Sequence, residues 1–210
     1  MSISKIQSES MNLADTFAFT GSVSGAGKIL SFGSYNSGYG SGARLSTTST
    51  SWVNLEINGT NQAVFGQITK NTDDTLNYNK LSNSSHLIIG MNVPAYNTGG
   101  GNTGHGFRLK FETTQNSGTY NVLDITSEGP ANGWGWHGYG GSHASMNNCI
   151  WNTYDNSTYR SAIQSATGNV RFFFEVRNWS SSDTITYNDY SDTYPKYSTF
   201  TVFEVAVWVI

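Results

Sequence analysis

An all-β fold of two packed antiparallel sheets is predicted by three observations. Aromatic residues make up 14% of the 210 positions, a share that suits strands, while 23 glycines and abundant Ser, Thr and Asn supply turns. Phe107, Leu109 and Phe111 alternate with Arg108, Lys110 and Glu112, the period-two pattern of a strand with one buried and one wet face. No segment sustains helical periodicity over about ten residues.

The elements follow in order. Within residues 1–27, Ile3, Ile6, Met11, Leu13, Phe17 and Phe19 are spaced along a polar thread that ends in a run of Gly, Ser and Ala. That spacing suits neither a sustained helix nor a long strand, so the segment reads as an anchoring arm, with a first strand of the domain as the other reading. Residues 28–210 form the β-domain. Ile29 to Phe32 opens it, Gly33 to Gly42 reads as a Gly/Ser/Tyr loop, and Trp52 to Ile57 alternates before the turn dipeptide Asn58-Gly59. Ala63 to Ile68, Leu87 to Val93, Phe107 to Glu112, Tyr120 to Ile125, Arg171 to Val176 and Thr199 to Ile210 bring the total to about eight to ten strands, joined by Greek-key or jelly-roll links.

The last strand is apolar on both faces. Phe203, Val205, Val207 and Val209 lie on one side; Phe200, Val202, Ala206, Trp208 and Ile210 lie on the other with Glu204, the strand's single ionisable group. A sandwich strand normally turns one face to water, so a second cover is expected here: a neighbouring subunit, or loops of the same chain.

Composition excludes several function classes. The net charge is −3, with 11 basic against 14 acidic residues and no basic run, so a nucleic-acid partner is not expected. The single Cys149 forms no intrachain disulfide and reads as a small buried apolar residue. No stretch suits a secretory signal or a membrane span, so the chain is expected to fold in a reducing cytoplasm and not to insert in a membrane. Its uncharged, hydroxyl- and amide-rich composition nevertheless suits a protein that works outside the cell.

Three segments carry a family resemblance: ISKIQSESMNLADTFAFTGSVSGAGKIL at residues 3–30, NSSHLIIGMNV at 83–93, and STFTVFEVAV at 198–207. They resemble structural proteins of tailed bacteriophages, marine and cyanobacterial ones among them, in which a short arm leads through a V-x-G-A-G-K-type segment into a β-domain ending in a T-x-x-E-I-A strand. Val205 stands where that pattern has Ile, and the chain runs on through Val207, Trp208, Val209 and Ile210 where many relatives stop. The resemblance implies an antiparallel jelly-roll β-sandwich, trimeric like the heads of tumour-necrosis-factor and complement-C1q proteins. It implies a non-enzymatic virion component, assembled in the host cytoplasm: a fibre tip, head fibre or capsid decoration protein. The implied trimer interface is Phe200, Val202, Glu204, Ala206 and Trp208, and the implied anchor into another virion protein of capsid, tail or fibre is Ile3, Ile6, Met11, Leu13, Phe17 and Phe19.

Chemistry-bearing motifs are sparse. Gly25, Ala26, Gly27 and Lys28 miss the phosphate-loop pattern at two positions. His86, His105, His137 and His143 lack metal-ligand spacing, so no metal and no cofactor is expected. Asp124, Glu128, Glu175 and Glu204 offer carboxylates without singling out a hydrolytic pair, and Asp73 and Asp74 read as solvated loop charges. One segment stands apart: residues 133–143 crowd Trp134, Trp136, His137 and Tyr139 among glycines through which no strand is expected to run. Such a loop either displays ring faces for stacking on a host surface glycan, with Tyr35 and Tyr39 as a second patch, or folds inward to plug the sandwich. The glycan reading makes the chain a lectin-like receptor-binding module, the alternative to a purely structural role.

Overall fold

The computed structural model describes residues 28–38, 44–97, 104–115, 119–124, 134–136, 144–153, 157–166, 168–178, 184–188, 190–191, 194–195 and 197–206. In chain order the described elements are β1 (Ile29–Asn36), β2 (Leu45–Thr47), β3 (Val53–Asn54), β4 (Ala63–Gly66), β5 (Ile68–Lys70), β6 (Leu76–Lys80), β7 (Ser85–Asn97) and β8 (Gly104–Gln115). They continue with β9 (Thr119–Asp124), β10 (Trp134–Trp136), β11 (Ala144–Asn152), α1 (Ser157–Ser165), β12 (Gly168–Asn178), β13 (Ile185–Tyr187), β14 (Tyr190–Ser191), β15 (Tyr194–Pro195) and β16 (Thr199–Ala206).

Taken as a folded-over hairpin, the principal strands pair from the outside inwards. β1 pairs with β16, β6 with β12, β7 with β11, and β8 with β9, all antiparallel. Neighbour contacts then give one sheet in the order β1-β16-β7-β11 and a second in the order β6-β12-β8-β9. This is jelly-roll connectivity, and the chain is an antiparallel jelly-roll β-sandwich. β4 extends the first sheet beyond β1, and β13 with β2 continues beside β7; β5, β3 and β10 extend the second.

The core forms because alternate residues of both sheets point at one another. Leu87, Ile89, Met91 and Val93 of β7 face Phe107, Leu109 and Phe111 of β8 and Val170, Phe172, Phe174 and Val176 of β12, all buried. Phe200 of β16 joins the layers, its ring 4.9 Å from that of Phe172 and 5.3 Å from that of Phe174. Helix α1 packs on β7 and β8, burying Ala162 and Ile163 and setting Tyr159 edge-on to Phe111 at 5.9 Å.

Several expectations change. β1 runs through Gly33 to Asn36, where a loop was expected, because β16 and β4 pair with it on both sides. Gly33 is needed there, since a Cβ would lie 2.5 Å from Ile68 Cγ1. Tyr35 is therefore no loop-tip aromatic: it is buried, and its hydroxyl donates to the Ile57 carbonyl at 2.5 Å. Trp52 to Ile57 alternates as expected, but only Val53–Asn54 forms a strand; beyond it the Ile57 amide donates to the Asp74 carboxylate instead of to a neighbouring strand. Within the glycine-rich segment, Trp134–Trp136 does form a strand, pairing with Gly104, His105 and Gly106 at the edge of β8. Three residues at an edge need few ladder bonds, so glycine is tolerated. α1 is nine residues long, too short for its periodicity to register.

Phe200→Ala is expected to destabilise the protein by about 3–5 kcal/mol in urea unfolding, because it empties the contact between the sheets. Thr201→Ala, on the opposite side of the same strand, is expected to stay within about 0.5 kcal/mol.

Candidate functional site

The two apolar faces of β16 have different fates. Phe200, Val202 and Glu204, expected at a trimer interface, are buried inside the protomer; Ala206 is half-buried, its amide donating to the Lys28 carbonyl at 2.9 Å. That assignment is corrected for Phe200, Val202 and Glu204, whose side chains are buried within the protomer and not available to another copy. Alternation told the two faces apart without saying which turns inward. Trp208 lies outside the described residues.

The outward face is organised in rows by strand register. Phe32 of β1, Phe203 of β16 and Ile88 of β7 lie side by side, with Phe32 50% and Phe203 37% exposed. The next row holds Phe65 of β4, 60% exposed, then Ser34, Thr201 and Gly90. A third holds Ala63, Asn36, Thr199 and Asn92. None of these rows contains an ionisable group. The three segments quoted for the phage resemblance end in or form β1, β7 and β16, which are neighbours in this one sheet.

Behind the face lies a buried polar cluster. Glu204 accepts from Ser31 Oγ at 2.8 Å, the Leu81 amide at 2.9 Å, the Ser82 amide at 2.8 Å and Ser85 Oγ at 2.5 Å. Four donors occupy both carboxylate oxygens, so Glu204 ties the turn between β6 and β7 to β16 and has no free lone pair to act as a catalytic base. With Ser31 donating to Glu204, the Tyr78 hydroxyl donates to Ser31 Oγ at 2.5 Å. Burial raises the Tyr78 pKa to about 12 and lowers that of Lys80 to about 8, the latter opposed by the Glu204 charge. The Lys80 ammonium donates to the Ser82 and Ala166 carbonyls.

The outer face of the second sheet has the opposite chemistry. Arg108, Lys110 and Glu112 of β8 stand outward as expected, beside Arg171, Phe173, Glu175 and Arg177 of β12. Glu175 receives both Arg108 and Lys110, while Arg171 reaches Asp73 and Glu112. The Trp52 ring lies 4.4 Å from the Arg108 guanidinium and 4.5 Å from that of Arg177. Burial, with Arg108 close by, lowers the Arg177 pKa. Asp73 is held below the usual carboxylate range, chiefly by its hydrogen bond from Thr75. Asp73 remains an exposed turn charge as expected, while Asp74 accepts from the Ile57 amide and the Asn58 side chain and so staples a turn. Glu175 and Glu204 sit on different sheets, one outward and one inward, so the fold does not bring them together as a pair.

The remaining sequence-derived candidates are placed as follows. The backbone of Trp134 and Trp136 lies in β10, while His137, Tyr139 and Tyr39 are outside the described residues, as are Ile3, Ile6, Met11, Leu13, Phe17 and Phe19. His86 lies on β7 and His105 on β8, in different sheets. Sequence reasoning missed Phe32, Phe65, Ile88 and Gly90. One signal was present: a lone glycine within the apolar run from Leu87 to Val93, the pattern of a bulge or of a close approach to the backbone.

No protein-family model and no curated protein matches the chain. Among solved structures, the Eiger TNF from S. frugiperda aligns over 86% of this chain and 96% of its own, at 8% identity and a TM-score of 0.40. The T13 IBDV viral particle aligns over 94% of this chain at 10% identity and a TM-score of 0.37, and the infectious bursal disease virus VP2 subviral particle over 84% at 10% identity and 0.35. This chain spans only 39% and 37% of those two viral chains.

The pH dependence of stability follows from Lys80 and Tyr78. Between about pH 8 and the ordinary lysine value of 10.5, the unfolded chain keeps a proton that the folded chain has released, so stability rises with pH. Above the ordinary tyrosine value of 10.0 the folded chain keeps a proton that the unfolded chain loses, so Tyr78 makes stability fall. Chemical denaturation is expected to show a midpoint that climbs from pH 8 to about 10 and then turns over. Lys80→Met should remove the climb and leave the fall.

Proposed function

We propose that this chain is a non-enzymatic structural protein of a bacteriophage particle, a homotrimer carried as a fibre tip, head fibre or decoration protein and joined to the particle by residues 1–27. The observation that carries the reading is the contrast between the two outer faces. One is a ladder of charges suited to water; the other presents Phe32, Phe65 and Phe203 among uncharged residues. Apolar rows across neighbouring strands lose about 25 cal/mol per Å² of stabilisation for as long as they stay wet, and an identical copy removes them from water.

The sequence resemblance supports the same assignment, because its three segments converge on this sheet. The trimer interface is accordingly moved from Phe200 and Val202 to the outward residues Phe32, Phe203 and Ile88. A closed ring of identical heterologous contacts leaves no apolar patch free to propagate into a fibre. The apolar residues of the arm, Ile3, Ile6, Met11, Leu13, Phe17 and Phe19, supply the contact with a capsid, tail or fibre protein.

Light scattering at micromolar concentration is expected to give three times the chain mass of 22.9 kDa. Phe203→Glu is expected to give a folded monomer. A species of one chain mass for the unaltered protein overturns the trimer. Deletion of residues 1–27 is expected to leave the trimer intact and abolish its incorporation into particles; continued incorporation removes the arm's role. Labelled electron microscopy of intact particles then separates capsid facets from fibre ends.

A further inference from the structure

Gly90 is a described glycine that no contact among the described residues requires. Gly33 avoids Ile68, and Gly38, Gly66 and Gly168 occupy positive φ. At Gly90 the backbone lies outside the left-handed region, and a Cβ would meet nothing within 4 Å among the described residues. Glycine in a strand interior weakens it by roughly 0.5–1 kcal/mol and marks a bulge, a tight bend or a close approach by a ligand or another backbone; the register on both sides of Gly90 runs without a bulge.

The same row of the sheet holds a candidate for what approaches. Register places Phe65, Ser34, Thr201 and Gly90 side by side across β4, β1, β16 and β7. Phe65 is 60% exposed on β4, which pairs with β1 alone among the described strands. Three strand spacings, about 14 Å, separate Phe65 from Gly90 within one chain, so the two do not meet in the protomer.

We propose that Phe65 of one copy seats on the bare backbone at Gly90 of the next, a knob and hole that set the register of the ring. The proposal rests on the trimer reading. An axis running along the strands keeps each row of every copy at one level, so knob and hole in one row engage without a shift. A twofold axis perpendicular to the strands reverses the rows and brings Phe65 opposite other residues. The occupant is a second copy because the row has no charge to match a charged partner, while the chain itself carries an uncharged ring at the right height. The contact also covers the open β4 edge, which otherwise invites pairing with foreign strands.

The test is a double-mutant cycle on trimer dissociation, read by mass photometry over serial dilution of the full chain. Gly90→Leu and Phe65→Ala are each expected to weaken association about thirtyfold or more, with unfolding midpoints of the dissociated chains not lowered. The double variant is expected to associate more tightly than Gly90→Leu alone, because the smaller knob accommodates the filled hole. If the unaltered protein is a trimer and Gly90→Leu dissociates at its concentration, or if the two effects simply add, the knob-and-hole contact is wrong while the trimer stands. If the unaltered protein is monomeric, both readings fall together.

Discussion

Two almost equally apolar faces of β16 compete for the interior, and the carboxylate of Glu204 breaks the tie. Phe200 and Val202 on one side are matched by Phe203 and Val205 on the other, so burial of hydrocarbon alone hardly discriminates. Glu204 has to satisfy its oxygens wherever it goes, and it finds four donors in Ser31, Leu81, Ser82 and Ser85 only when its own face turns inward. A slip of one residue would bring Phe203 inside and leave those donors unpartnered, and a buried donor without a partner costs about 1–3 kcal/mol.

From that orientation the rest follows. Phe200 is driven between Phe172 and Phe174, which sets how β16 packs on β12. Ser31, held by Glu204 and by Tyr78, fixes β1 alongside β16, and the turn between β6 and β7 is drawn to the same carboxylate. With Phe200, Val202 and Glu204 inside, Thr201 and Phe203 face outward beside Ser34 and Phe32. The polar cluster in the interior is thus the reason an aromatic surface stands outside.

The two outer faces show how strand alternation sorts chemistry between the two sides of the sandwich. On the second sheet the outward positions are charged, paired across strands and stacked on Trp52, an arrangement that water and neighbouring side chains already satisfy. On the first sheet the rows around Phe32, Phe203 and Phe65 are apolar, small or amide-bearing, with no ion pair among the described residues. A sandwich built this way has one solvated side and one side suited to contact, and the contact side is assembled from segments more than a hundred residues apart in sequence.

The strand-rich class, the two antiparallel sheets, the inward and outward faces of β8 and the short charge inventory were legible in the sequence, because alternation and turn chemistry act over a few residues. So was the doubled apolarity of the last strand. Which of its faces turns in was not, since that depends on donors contributed by β1, by the turn after β6 and by β7, all distant in the chain. The strand character of Gly33 to Asn36 was hidden for the same reason: a glycine-rich stretch becomes a strand when partners exist on both edges. Helix α1, β6 and the edge strand Trp134–Trp136 carried too little pattern of their own. The alignment of Phe65 with Gly90 arises only when cross-strand register brings four separate strands into one row, and register is a property of the folded sheet.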